Sequence, residues 1–91
     1  MLYMIIERFH PGKVKDMYQR FADKGRMLPE GVTFINSWIN ESVTVCYQVM
    51  EAASPERLQL WTDKWKDLVD FEIIPVISSI EAKEKVLRIN E

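Results

Sequence analysis

The stretch GVTFINSWINESVTVCYQVME, Gly31 to Glu51, reads as two strands joined by a tight polar turn, and the rest of the chain is organised around it. Val32 to Ile39 and Val43 to Met50 are rich in β-branched and aromatic residues, which suit a pleated, half-buried surface. Asn40-Glu41-Ser42 supplies the turn. Side chains alternate along a strand, so a slip of one residue exchanges the two faces completely. A three-residue loop puts Ile35, Ile39, Val43, Val45, Tyr47 and Val49 on one side, and Phe34, Asn36, Trp38, Thr44, Cys46, Gln48 and Met50 on the other. A two-residue loop would scatter polar groups over both, so the three-residue loop is preferred. The first set is expected against helices. The second, punctuated by Asn36 and Gln48, is expected to meet a second subunit or line a cavity.

Upstream, Leu2 to Phe9 is a strand stopped by His10-Pro11-Gly12. Leu2, Met4 and Ile6 lie on one of its faces and Tyr3, Ile5 and Phe9 on the other, so both need covering. From Lys13 the apolar period changes to three and four: Val14, Met17, Tyr18, Phe21 and Ala22 predict an amphipathic helix that frays near Gly25 to Met27. Downstream, Ser54-Pro55-Glu56 is a helix start, and Leu58, Trp61, Trp65 and Leu68 form its apolar stripe. Asp70 to Ile77 is a last strand whose Pro75 indicates an edge or a bulge. Ser78 with Glu81 opens a short, charge-rich C-terminal helix.

Strand, helix, strand, strand, helix, strand is the split βαβ order of a ferredoxin-like α+β domain with a four-stranded antiparallel sheet, its first and third strands central. Residues 1–79 would form that domain and residues 80–91 a helical extension. Two helices cover one sheet face only, while the strands carry apolar residues on both. A homodimer with two sheets face to face meets the remaining requirement.

Composition narrows function by exclusion. Twelve Lys+Arg against 14 Asp+Glu offer no basic field for nucleic acid. The third strand also lacks the basic and glycine residues of an RNA-recognition motif. An amino-acid-sensing regulatory domain shares the same element order, but would be attached to an enzyme. A lone cysteine, Cys46, forms no intrachain disulfide, and no apolar run approaches the roughly 20 residues that span a bilayer. A cytoplasmic protein without membrane contact is expected. Phosphate-loop, dinucleotide and hydrolase-elbow motifs are missing, and one His with one Cys makes no metal-ligand spacing, so neither metal nor cofactor is expected.

The segments LYMIIERF, RMLPEGVTFINSW, CYQVMEA and DLVDFEIIPVISS resemble a family of short bacterial proteins catalogued as a domain of unknown function. That family is similar in pattern to the dimeric α+β-barrel superfamily, whose members include cofactor-independent monooxygenases, haem-handling enzymes and muconolactone-type isomerases. The resemblance covers residues 1–79 and implies a dimeric barrel; it brings no catalytic set.

Candidate site residues follow from side-chain chemistry. Asn36 and Gln48 offer amides to orient a small ligand, and Trp38 an apolar wall. Glu7 and Glu72 could add a carboxylate base. His10 could accept a proton at a cavity mouth or serve as an axial haem ligand, although a plain turn residue is the simpler role. Cys46 reads as inert packing, and Trp61 and Trp65 as core. These residues predict a homodimeric domain binding a small apolar or aromatic molecule between its sheets. The alternative is a cofactor-independent monooxygenase or isomerase acting on an aromatic or lactone substrate.

Overall fold

A computed structural model describes residues 1–89. The chain runs β1 (Leu2–Phe9), α1 (Val14–Lys24), β2 (Val32–Ile39), β3 (Val45–Ala52), α2 (Pro55–Thr62), β4 (Val69–Val76) and α3 (Ser79–Ile89). The strands form one antiparallel sheet in the order β2-β3-β1-β4, a ferredoxin-like α+β arrangement followed by a C-terminal helix. The first and third strands are central, as their apolar content requires. Pro75, which has no N–H for a ladder, lies on edge strand β4 opposite Tyr3.

The faces of β3, and of Phe34 at the start of β2, are the reverse of those expected, whereas Asn36 and Trp38 stand on the open side and Ile39 on the helix side as expected. Cys46, Gln48, Met50 and Ala52 of β3 are buried on the helix side with Tyr3, Ile5 and Glu7 of β1. Tyr47 points to the open side with Val45 and Val49, beside Met4 and Ile6. Two local features cause the reversal. The turn is longer than three residues, because Ile39 pairs with Cys46, and Asn40 N–H donates to the Val45 carbonyl at 3.0 Å. Val43 and Thr44 therefore belong to the turn and not to the strand. The Asn40 side chain builds this turn, its Oδ1 accepting from the N–H groups of Thr44 (2.8 Å) and Val45 (2.9 Å).

The second feature is a bulge at Ile35, where the register jumps from Phe34↔Met50 to Asn36↔Val49. One extra residue restores the alternation in a new phase. Phe34, Ser37 and Ile39 consequently share the helix side, while Asn36 and Trp38 share the open side. Ile35 itself is half exposed.

Leu58, Trp61, Trp65, Leu68 and Val69 fill the core against Ile5 and Met50. Helical geometry stops at Thr62, and Trp65 and Leu68 are delivered by tight turns in which Trp65 N–H donates to Thr62 O and Leu68 N–H to Trp65 O. Helix α1 sits more loosely: it buries no residue completely and is anchored by Arg20, which makes a bidentate pair with Asp67 (2.8 and 2.7 Å). It ends where expected, with Gly25 at φ 66° closing its last turn onto the Phe21 carbonyl. Ser78 Oγ accepts the Glu81 N–H at 3.1 Å and starts α3. With Ile80, Val86 and Leu87 exposed, α3 projects from the body, and the radius of gyration is 15.3 Å. A compact chain of this length would have a radius of about 12 Å.

Candidate functional site

The loose seating of α1 leaves a cavity of about 170 Å³ between that helix and the centre of the sheet. Met17, Tyr18 and Phe21 of α1 form its roof and Trp61 and Trp65 one wall; Phe9, Ile39 and Ser37 complete the sheet side. Its floor carries Glu7, Cys46 and Gln48, drawn from neighbouring positions of β1 and β3. Glu7 and Gln48 are 6% and 5% exposed and hydrogen bond to one another, Gln48 Nε2 donating to Glu7 Oε2.

Burial raises the Glu7 carboxyl above its ordinary range; hydrogen bonds from Gln48 and Cys46 and the field of Arg26 oppose this only in part. Burial, reinforced by Glu7, pushes the Cys46 thiol up to about 12, so it carries almost no thiolate at neutral pH and is inert as a nucleophile. Tyr18, at the roof, is also held toward its protonated form, first by burial.

Arg26 completes the polar set. It follows the helix-ending Gly25 and precedes Met27, and both neighbours have positive φ (66° and 58°). Its carbonyl accepts from the indole N–H groups of both Trp61 (3.0 Å) and Trp65 (3.1 Å). Its guanidinium lies 3.6 Å from the Phe34 ring centroid and 5.1 Å from that of Phe21, while Nε and Nη2 reach Gln48 Oε1 (3.3 Å) and Ser37 Oγ (3.4 Å).

The six residues predicted from sequence fall into three places. Glu7 and Gln48 meet in the cavity. Asn36, Trp38 and Glu72 lie on the opposite, open face of the sheet, so Gln48 cannot act with Asn36 and Trp38 as expected. Trp38 is 55% exposed there, in one lateral row with Tyr47, Ile6 and Glu72, and Glu72 pairs with Arg8 at 3.1 Å. His10 belongs to neither group: its Nδ1 faces the Asp67 carbonyl (3.1 Å) and its Nε2 the Asp70 carboxylate (2.9 Å). Both partners are acceptors, so the doubly protonated ring fits best, and the Asp70 contact raises its pKa. That engagement ties the end of β1 to β4 and leaves His10 without a nitrogen for haem. Among the described residues no three His, Cys, Asp or Glu side chains converge as a metal site, and no helix is long and apolar enough to cross a membrane.

Sequence reading missed Arg26 because it lies in an irregular segment with no periodic signal. Two indoles four residues apart, each needing an acceptor when buried, were the available clue.

A family model described as a domain of unknown function, DUF3303, matches residues 1–90, which includes all seven elements. The chain belongs to this family. Comparison with curated proteins and with solved structures yields no match. The family therefore carries no activity to transfer, and its chemistry has to be argued from the cavity.

Glu7 gives that chemistry a measurable signature. A carboxyl in the unfolded chain titrates near 4.5, and the folded value is higher. Over the interval between them the folded state holds a proton the unfolded chain has lost, so stability falls as pH rises from about 4.5 through the folded value. Glu7→Gln is expected to remove this slope while preserving shape. Urea midpoints measured from acid to neutral pH check it; parallel profiles for the two proteins would contradict a buried, proton-holding Glu7.

Proposed function

We propose that the domain binds a small apolar or aromatic molecule in the cavity between α1 and the sheet, and that it works as a homodimer paired through the open sheet face. The observation that carries the binding reading is the pairing of buried polar groups, Glu7 and Gln48, with aromatic walls around a space of about 170 Å³. A folding core has no use for a carboxyl held there at the cost of desolvation, whereas a ligand site needs a few polar groups to fix orientation. The volume suits one ring: an apolar cavity of about 150 Å³ accommodates benzene. This moves the expected ligand from between two sheets to the helix side of one.

Support for pairing comes from the open face. Trp38, Tyr47, Ile6, Met4, Val49 and Ile74 make a contiguous apolar surface bordered by Arg8, Glu51, Asp70 and Glu72. The shortest dimension of the molecule is 17 Å, so one copy has no second layer with which to cover that face. A second copy would give the double sheet implied by the resemblance to the dimeric α+β-barrel superfamily.

Thermal unfolding with phenol and indole as probes tests the binding reading. A ligand at a hundredfold excess over its dissociation constant adds about 2.7 kcal/mol, which raises the transition by about 10–20 °C in a domain this small. An unchanged transition with both probes counts against it.

A second reading, an isomerase or cofactor-independent monooxygenase, is favoured by Glu7 alone, since a carboxyl of raised pKa facing an apolar cavity is a competent proton acceptor. Turnover of lactones or aromatic polyols under oxygen that disappears in Glu7→Gln would establish it over simple binding.

A further inference from the structure

We infer that the ligand of the α1 cavity is a single-ring organic anion whose carboxylate or phenolate oxygen is received by Arg26. This rests on the binding reading above and adds to it the charge of the ligand and the residue that reads it.

Arg26 makes no direct ion pair among the described residues, whereas Arg8 and Arg20 are paired with Glu72 and Asp67. The carboxyl its field reaches, Glu7, is held off it by Gln48, which bonds to both. The two hydrogen bonds of Arg26, at 3.3 and 3.4 Å, are at or beyond the long end of the usual range, and among the described residues Nη1 makes none. A guanidinium has five N–H donors in a fixed fork, so most of its donor capacity is unspent. That fork matches a carboxylate.

The residue is also held in place before any ligand arrives. Left-handed backbone at Gly25 and Met27 fixes the chain on either side, two indole N–H groups grip its carbonyl, and the Phe34 ring backs the guanidinium plane. Such preorganisation lowers the ordering cost of binding. Apolar neighbours on the cavity side, Phe21 and Trp65 among them, lower the local dielectric and strengthen any charge pairing made there. Across the cavity burial raises the Glu7 carboxyl, which lessens the repulsion an anion would meet from the floor. An amine ligand would instead meet the fixed positive charge.

The test titrates the full chain with benzoate, benzyl alcohol and benzylamine at neutral pH, following tryptophan fluorescence, since Trp61 and Trp65 line the cavity. Benzoate is expected to bind at least about tenfold more tightly than benzyl alcohol, with benzylamine weakest. Arg26→Met is expected to abolish the preference for benzoate while retaining affinity for the alcohol, and Arg26→Lys to keep part of it. Equal affinity for benzoate and benzyl alcohol, or tighter binding of benzylamine, overturns the anion assignment and leaves the cavity as a binding site. Failure of all three to bind at millimolar concentration overturns both. The ligand series on the unmodified chain decides the matter even where an Arg26 variant folds poorly.

Discussion

Trp61→Ala is expected to lower the unfolding free energy by about 3–5 kcal/mol, the usual cost of deleting a large aromatic from a packed core. Trp61 is 2% exposed and packs edge-on to Phe71 with ring centroids 5.3 Å apart. The substitution leaves a void beside the existing cavity and removes one of two N–H groups that hold the Arg26 carbonyl. A domain of this size has roughly 5–15 kcal/mol in total, so the variant should sit close to its folding limit. Trp61→Phe keeps most of the packing, and because Trp65 still donates to Arg26 O its cost should stay near the value of a single hydrogen bond, about 1 kcal/mol. Chemical denaturation of the two variants checks the ranking; equal losses would show that the indole N–H matters more than the ring volume.

Ile6→Glu is expected to dissociate the proposed dimer. Ile6 lies mid-sheet on the open face between Tyr47 and Glu72, so a new carboxylate there enters the apolar surface and stands beside an existing one. Burying an unpaired charge in an interface costs several kcal/mol, and each 1.4 kcal/mol is tenfold, so dimer affinity should fall by about a hundredfold or more. The helix side, where the core lies, is untouched, so the fold should persist. Sedimentation of the original chain as a dimer and of the variant as a folded monomer is the expected pair of results. A monomeric original chain at micromolar concentration would remove the basis for pairing.

Much of the architecture was legible in the sequence because strand and helix signals are local: the β-branched runs, the change of apolar period after Gly12, and the Ser-Pro-Glu helix start each sit within a few residues. Pro75 alone indicated the edge strand. Face assignment held for Asn36, Trp38 and Ile39 but failed for β3 and Phe34, because it depends on a count of one residue. The Asn40-centred turn and the bulge at Ile35 each alter that count, and neither has a glycine to announce it. The correct inward face was visible in β1, where Glu7 stands in alternation with Tyr3, Ile5 and Phe9; a carboxylate on the more aromatic face of a central strand was the trace of a buried polar site. Gln48 then follows from its place beside Glu7 on the neighbouring strand, but that register is a tertiary fact. Arg26 was illegible for a different reason: its role depends on a carbonyl meeting two indoles from a segment about 40 residues later in the chain.

The account turns on which side of the sheet receives the ligand, and methyl NMR reads that side directly. Titration with phenol is expected to shift the methyl resonances of Met17 and Ile39, which belong to the α1 cavity and its sheet wall, and to leave Met4, Ile6 and Ile74 unmoved. Shifts confined to Met4, Ile6 and Ile74 would contradict it and return the site to the open face.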